Sequence, residues 1–375
     1  MARGLPVGVH LLGRPPAGAT MAIVRAMEVA GADSLWAIDH WMYLVPLDLW
    51  DRSLFPVARL IRNPESYFEP FSFLGALAAR TRRARIGVSV TEAIRRHPAE
   101  IAQAALTLHH LSRGRFVLGM GAGERENIEP YGLSYAGQAS RLEEALYCIR
   151  LLWTNPREYV SFSGRFFTLD RAVIGLGPYR RTLPPIWVAA HGPKMLGIAG
   201  RYGDGWLPTH QMEPEDYADH LGRIRTAAEG AGRSLRRFTA SYEMRVLLAP
   251  SHDEAHRRLN SNALRLGALV VPASVWERAG AEHPFGRGYR GVADYIPSRL
   301  EPEEVRRLMG EVPFDVLHLA FDHGTPDQLA ARALSYRSVG LRHVVIQNLA
   351  PLVDPRWTVW SFRALAGLIR TLRRS

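Results

Sequence analysis

The chain has 375 residues, 47% of them hydrophobic, enough to bury the core of one large α/β barrel or of two ordinary domains. Its single cysteine, Cys148, excludes internal disulfides and thiolate metal clusters and fits a reducing cytoplasm. The formal net charge of +11 invites an anionic partner, but the arginines lie in scattered pairs without an aromatic-basic ribonucleoprotein motif or zinc-finger spacing, which argues against nucleic acid.

Residues 5–12 read as a first strand. Interrupted by Pro6, Gly8 and His10, they make a poor signal peptide and are far too short to span a bilayer; no stable membrane insertion is expected anywhere. Residues 20–30 predict a helix with Thr20 as N-cap and Gly31 as stop, and residues 34–38 a second strand ending at Asp39-His40. Residues 41–70, rich in aromatics and proline, exceed an ordinary connection and read as a lid or pocket wall. A helix over 71–80, a strand over 84–90, a helix over 98–111 opened by Pro98 and a strand over 115–120 follow, the last running into Gly121-Ala122-Gly123-Glu124.

Residues 139–153 predict a long helix in which Cys148 is a buried structural thiol, followed by a hairpin around Ser163-Gly164. Residues 186–190, entered through Pro184-Pro185, are too short an apolar run for a helix and suit a buried parallel strand. Gly192 then lets backbone N–H groups approach a ligand, and Pro193 opens a helix whose positive end points out of the turn, which makes an anion cradle. Lys194, the only lysine in the chain, follows at once; a plain strand-to-helix turn with a solvated lysine is the alternative. Next come a strand at 205–207, a helix over 214–230 and an alternating strand over 239–248. Residues 252–313 look helical and irregular, 316–321 strand-like, 326–339 helical up to Gly340, 343–349 a continuous apolar strand and 355–374 a basic helix.

Outside the insertion at 252–313 strands and helices alternate, so each strand is buried on both faces and the sheet should be parallel. Eight strands, with glycine-rich turns at many strand ends, predict a TIM (β/α)8 barrel over residues 1–375 as one domain, carrying insertion segments at about 41–70, 154–184 and 252–313. A doubly wound sheet lacks its fingerprint, because the glycines of 118–123 do not follow Gly-x-Gly-x-x-Gly. In a barrel the C-terminal strand ends converge, which brings Asp39, His40, Ser89, Glu124 and Gly192 to one site.

Of these, His40 can act as acid or base near neutral pH, with Asp39 beside it to orient or charge-tune the ring. Glu124, behind two flexible glycine positions, can reach a ligand heteroatom, and Asn127 can hydrogen-bond a substrate. No metal site is expected, since His109-His110 are adjacent and face different sides of a helix and no His-x-x-x-His pair with a carboxylate is read after them. A serine nucleophile is excluded by the absence of a Gly-x-Ser-x-Gly elbow.

Several segments together carry a resemblance that spans nearly the whole chain. They are 34–40, Gly87-Val88-Ser89-Val90-Thr91, His97-Pro98-Ala99, Gly114-Arg115-Phe116, 118–124, 141–153, 189–194 and Gly203-Asp204-Gly205-Trp206. The chain resembles the bacterial luciferase-like oxidoreductases. Asp39-His40 and Gly121-Ala122-Gly123-Glu124-Arg125-Glu126-Asn127 resemble the branch that uses the deazaflavin coenzyme F420, and Glu129-Pro130-Tyr131-Gly132 the phthiodiolone ketoreductase type within it. The resemblance implies a non-proline cis peptide at Ser89–Val90 behind the coenzyme ring, ring contacts from Asp39 and Thr91, and Glu124, after Gly123 and before Asn127, near the ring's N1 edge. It further implies a phosphate cradle at Ala190, His191, Gly192 and Pro193 with Lys194 beside it, and His40 facing the substrate.

The chain departs from the F420-dependent glucose-6-phosphate dehydrogenases, which carry tryptophan where Leu44 stands; Trp41 and Tyr43 are the candidate substitutes as substrate contacts. With no match for their sugar-phosphate cations, a bulky, largely apolar substrate is expected. The resemblance thus implies a cytoplasmic, homodimeric F420-dependent oxidoreductase that moves hydride to a carbonyl or activated double bond. An FMN-dependent monooxygenase and a non-catalytic barrel binding a flavin-like ligand are the alternatives.

Overall fold

The computed structural model describes residues 4–375. The strands are β1 (Val7–Leu11), β2 (Ser34–Ala37), β3 (Arg85–Val88), β4 (Phe116–Met120), β5 (Val160–Ser163), β6 (Thr168–Ala172), β7 (Ile186–Val188), β8 (Gly205–Trp206), β9 (Thr239–Leu248), β10 (Asp322–Gly324) and β11 (His343–Asn348). Helices α1 (Ala17–Ala30), α2 (Pro70–Arg80), α3 (Pro98–Leu111), α4 (Gln138–Thr154), α5 (Pro193–Tyr202), α6 (Pro214–Gly230), α12 (Pro326–Ser338) and α14 (Thr358–Arg374) surround them. Between β9 and α12 lie α7 (His252–Leu259), α8 (Asn262–Leu269), α9 (Ala273–Arg278), α10 (Pro302–Glu311) and α11 (Phe314–Ala320), and α13 (Ala350–Val353) follows β11.

Eight strands pair in parallel in the order β1, β2, β3, β4, β7, β8, β9, β11 and close back on β1, which makes the predicted TIM barrel. β10 adds to the far end of β9 outside the ring, and β5 with β6 forms the expected hairpin. Alternate residues of each strand face the helices: Val7, Val9, Leu11, Leu35 and Ile86 lie in one layer with the apolar faces of α1, α2, α3 and α14. Cys148, on α4, is buried in that layer, and burial pushes its thiol up to about 11.

Inside the ring, Trp36, Val117, Trp187, Leu207 and Val345 fill the barrel, with the two indoles 4.9 Å apart. Two strand glycines make this possible. A Cβ on Gly87 would lie 2.6 Å from Trp36 and one on Gly205 2.5 Å from Trp187, so the bare backbone is what leaves room for the rings. Trp36 Nε1 donates to Ser34 Oγ at 2.6 Å, and Ser34 Oγ bonds His343 Nε2 at 2.8 Å, so the buried polar groups are satisfied.

Three expectations change. Helix α1 starts at Ala17 after Pro16, and Thr20 caps nothing; its hydroxyl donates to the Arg14 carbonyl instead. Residues 316–321 are not a strand: Val316, Leu317 and Ala320 lie on the buried face of α11, which Pro313 introduces, and the strand is the next three residues. A six-residue apolar run fits either period. Segment 41–70 does not line a pocket along its length. Val45, Leu49, Phe55 and Val57 join a second core with α8, α10 and α11, while Tyr43 packs edge-on to Trp50. Among the described residues, no helix is long and apolar enough to cross a membrane.

Candidate active site

Because the barrel strands are parallel, their C-terminal ends open on one mouth, where a cavity of about 1090 Å³ is lined by His40, Ser89, Val90, Glu124, His191 and Gly192. Asp39, Gly123 and Asn127 also reach its wall. Thr91, Ala190, Pro193, Lys194, Trp41 and Tyr43 do not line it.

His40 follows β2 and sits between two carboxylates. Its Nε2 is 3.0 Å from Glu124 Oε2 and its Nδ1 3.1 Å from Glu126 Oε1, both carboxylates reaching it from the loop and 3-10 turn after β4. Burial works against charge on the ring, but the Glu124 and Glu126 carboxylates outweigh it and hold the His40 pKa well above the ordinary histidine value. Burial likewise opposes ionisation of Glu124, yet His40 and then Arg95 bring its pKa below the usual carboxylate value. Glu126 is fully buried, its Oε2 has no hydrogen-bond partner, and burial pushes it up to about 7. Only His40 and Glu124 of the three face the cavity, so Glu126 stands behind the pair.

Asp39 does not orient His40. Its carboxylate is taken by Arg96 Nη1 at 2.6 Å and Arg95 Nη2 at 3.1 Å, and Arg95 Nε also holds Glu92 at 2.5 Å. This buried cluster ties the end of β2 to the loop after β3, with Thr91 Oγ1 accepting from Arg96 at 3.3 Å. Asn127 is likewise a positioning residue. Its Oδ1 accepts from the Trp41 and Met42 N–H groups at 2.7 and 3.1 Å, and its Nδ2 reaches Glu126 at 3.4 Å and Glu124 at 3.5 Å. Trp41 lies under Arg95 and edge-on to Tyr131, and Tyr43 is held by Glu65 and Arg14, which explains why neither faces the cavity.

The peptide between Ser89 and Val90 is cis, as the resemblance implies. Ser89 Oγ donates to Glu243 Oε2 at 3.1 Å, and Val90 packs where a Cβ on Gly121 would sit, 2.7 Å away. Gly123 has φ +89, and its carbonyl accepts from Tyr135 at 3.0 Å. The floor adds His10, Glu243 and Arg245, which the sequence expectations omit. For Glu243 and Arg245 the signal was the alternation along β9, whose residues 243 and 245 point to one face, and for His10 its polar place in the otherwise apolar β1. The Arg245 Nε is buried without a hydrogen-bond partner and presents a donor at this floor, while His10 Nδ1 faces Glu243 Oε1 at 3.8 Å.

At the other end, Gly192 is the N-cap of α5 and lines the cavity, which sets the positive end of that helix at this wall. His191 stacks on His210 with centroids 4.0 Å apart. Burial holds His191 well below the ordinary value, and burial and Arg245 bring His210 down to about 4, so both rings are neutral. Ala190 is covered and its carbonyl accepts from Trp206 Nε1, while Lys194 turns to the surface and donates to Ser140 Oγ at 2.6 Å. This end of the cavity is therefore backbone and neutral imidazole, and Arg278, Arg287 and Arg290, which also line the cavity, are each paired with a carboxylate, Asp216, Glu282 and Asp294.

A closed parallel barrel with a protonated histidine clamped by carboxylates at its C-terminal mouth defines a (β/α)8-barrel enzyme. The luciferase-like monooxygenase profile matches residues 5–343, and the chain belongs to the luciferase-like family of oxidoreductases. It is 39% identical over 364 residues to the phthiodiolone/phenolphthiodiolone dimycocerosates ketoreductase of Mycobacterium tuberculosis, covering 96% of this chain and 95% of that relative. To the F420-dependent glucose-6-phosphate dehydrogenase of Nakamurella multipartita it is 34% identical over 281 residues, 73% of this chain and 74% of the relative. In fold it matches an F420-dependent secondary alcohol dehydrogenase solved with an F420-acetone adduct, with a TM-score of 0.77, 20% identity and 98% and 99% of the two chains covered.

Proposed function

We propose that this enzyme is an F420-dependent ketoreductase acting on a bulky, largely apolar carbonyl compound. Reduced F420 supplies hydride to the carbonyl carbon, and the protein's own part is to orient the reactants and hand a proton to the oxygen. The residues at hand fit a planar coenzyme with a phosphate. Val90, Gly121, Ala189 and Met195 offer apolar surface, Arg245 offers an unpartnered donor, and the α5 N-terminus with His191 offers an anion site. Arg278, Arg287 and Arg290, which line the cavity, suit an acidic tail that exchanges with their carboxylate partners.

The observation that carries the reading is His40 held between Glu124 and Glu126 at the cavity wall. Reducing a ketone consumes a proton at oxygen, and a cavity-facing imidazolium held by Glu124 and Glu126 is a donor kept loaded at neutral pH. Glu126, poised at about 7 behind it, is placed to resupply that proton. Leu44, where the glucose-6-phosphate dehydrogenases carry tryptophan, lines the cavity together with Val270, Val275 and Val292, which supports an apolar substrate over a sugar phosphate. Side-by-side fluorescence titrations with F420 and FMN test the coenzyme: binding of F420 with no comparable FMN binding is expected, and tight FMN binding without F420 binding would overturn the reading.

A further inference from the structure

Away from the barrel mouth, four histidines gather on three elements. His252 and His256 stand one turn apart on α7, His323 lies in β10, and His318 lies on α11. The ring centroids of His252, His256 and His323 are 5.7–6.2 Å apart, and His318 lies 4.8 Å from His323. One ligand nitrogen from each of His252, His256 and His323 falls within 4.8 Å of the other two. The sequence carries this signal as His252-x-x-x-His256, a pair that the expectation of no metal site passes over.

We propose that His252, His256 and His323 bind one divalent transition-metal ion of the zinc class, with the fourth position left to water. The tautomer of His323 is the independent observation. Its Nδ1 bonds the Phe321 carbonyl at 3.0 Å, so that nitrogen carries the proton, and the lone pair is left on Nε2, which is buried with no hydrogen-bond partner. An imidazole anchored through one nitrogen to a backbone carbonyl and bare at the other is how proteins orient a metal ligand.

Tetrahedral zinc with bonds of 2.0–2.1 Å needs nitrogens about 3.4 Å apart, and the exposed side chains of His252 and His256 can turn inward to close that gap. The nearby carboxylates are engaged elsewhere: Glu254 with Arg257 and Arg258, Asp322 with Gln211 and Arg332. An all-imidazole donor set selects zinc, nickel or copper over magnesium and calcium. The ion would clip the start of the helical insertion, α7, to the strand that extends β9.

The test is a ZnCl2 titration by calorimetry on tag-free full-length protein stripped with chelator. One equivalent should bind, with a rise in thermal midpoint, and His323→Ala and His256→Ala should each weaken binding by at least about 10-fold. His40→Ala should leave the equivalent intact, because His40, Glu124 and Glu126 form the rival cluster of ligand groups. Absence of a stoichiometric equivalent in the wild type, its survival in a natively folded His323→Ala or His256→Ala, or its loss in His40→Ala would each overturn the proposal.

Discussion

In the proposed reaction His40 owes its role as proton donor to its two neighbours, and each can be removed separately. His40→Ala should lower turnover by about 10²- to 10⁴-fold while coenzyme affinity holds, checked by steady-state rates beside a binding titration. The pH dependence follows from the sign of the shift. Ketone reduction needs the ring protonated, its pKa is raised, and so the rate should stay flat through neutrality and fall only as pH rises through that elevated value. Glu126→Gln removes a carboxylate that raises the pKa, so the alkaline fall should move to lower pH; an unmoved profile would separate Glu126 from the proton supply. His40 and Glu124 were legible in the sequence as strand-end residues. Glu126 was not, because in an extended chain it would share Glu124's side at one remove, and only the 3-10 turn at Arg125–Asn127 brings both carboxylates to one ring. Asp39 was misjudged because its true partners, Arg95 and Arg96, come from a loop more than fifty residues away.

At the scale of elements, the strands read well because a parallel strand buried on both faces is a short apolar run between turn residues. The glycines among them do different jobs. Gly205→Ala should destabilise by about 1–3 kcal/mol in urea unfolding, since its Cβ meets Trp187 inside the barrel. Gly192→Ala, whose Cβ meets nothing within 4 Å, should change stability by no more than about 0.5 kcal/mol. Equal effects at the two sites would contradict the assignment of space inside the barrel to one and backbone approach to a ligand to the other. The helical insertion was the least legible part. Residues 314–324 switch from helix to strand within one apolar run, and the deciding partner, the edge of β9, is about seventy residues back in the chain.

At the scale of the whole molecule, alternation of strand and helix sufficed for the barrel, and the barrel gathered His40, Glu124, Ser89 and Gly192 at one mouth as expected. The excess of arginine is divided between jobs. Some, such as Arg115 and Arg233, hold helix and loop carbonyls, and Arg278, Arg287 and Arg290 turn toward the cavity. The central claim is hydride transfer coupled to proton delivery by His40, and anaerobic mixing of the enzyme with reduced F420 and a long-chain ketone tests it most directly. The account predicts oxidised F420 and alcohol appearing one for one without oxygen, and loss of both in His40→Ala. Failure to oxidise F420 with any such ketone, alongside oxygen-dependent turnover of reduced FMN, would contradict it.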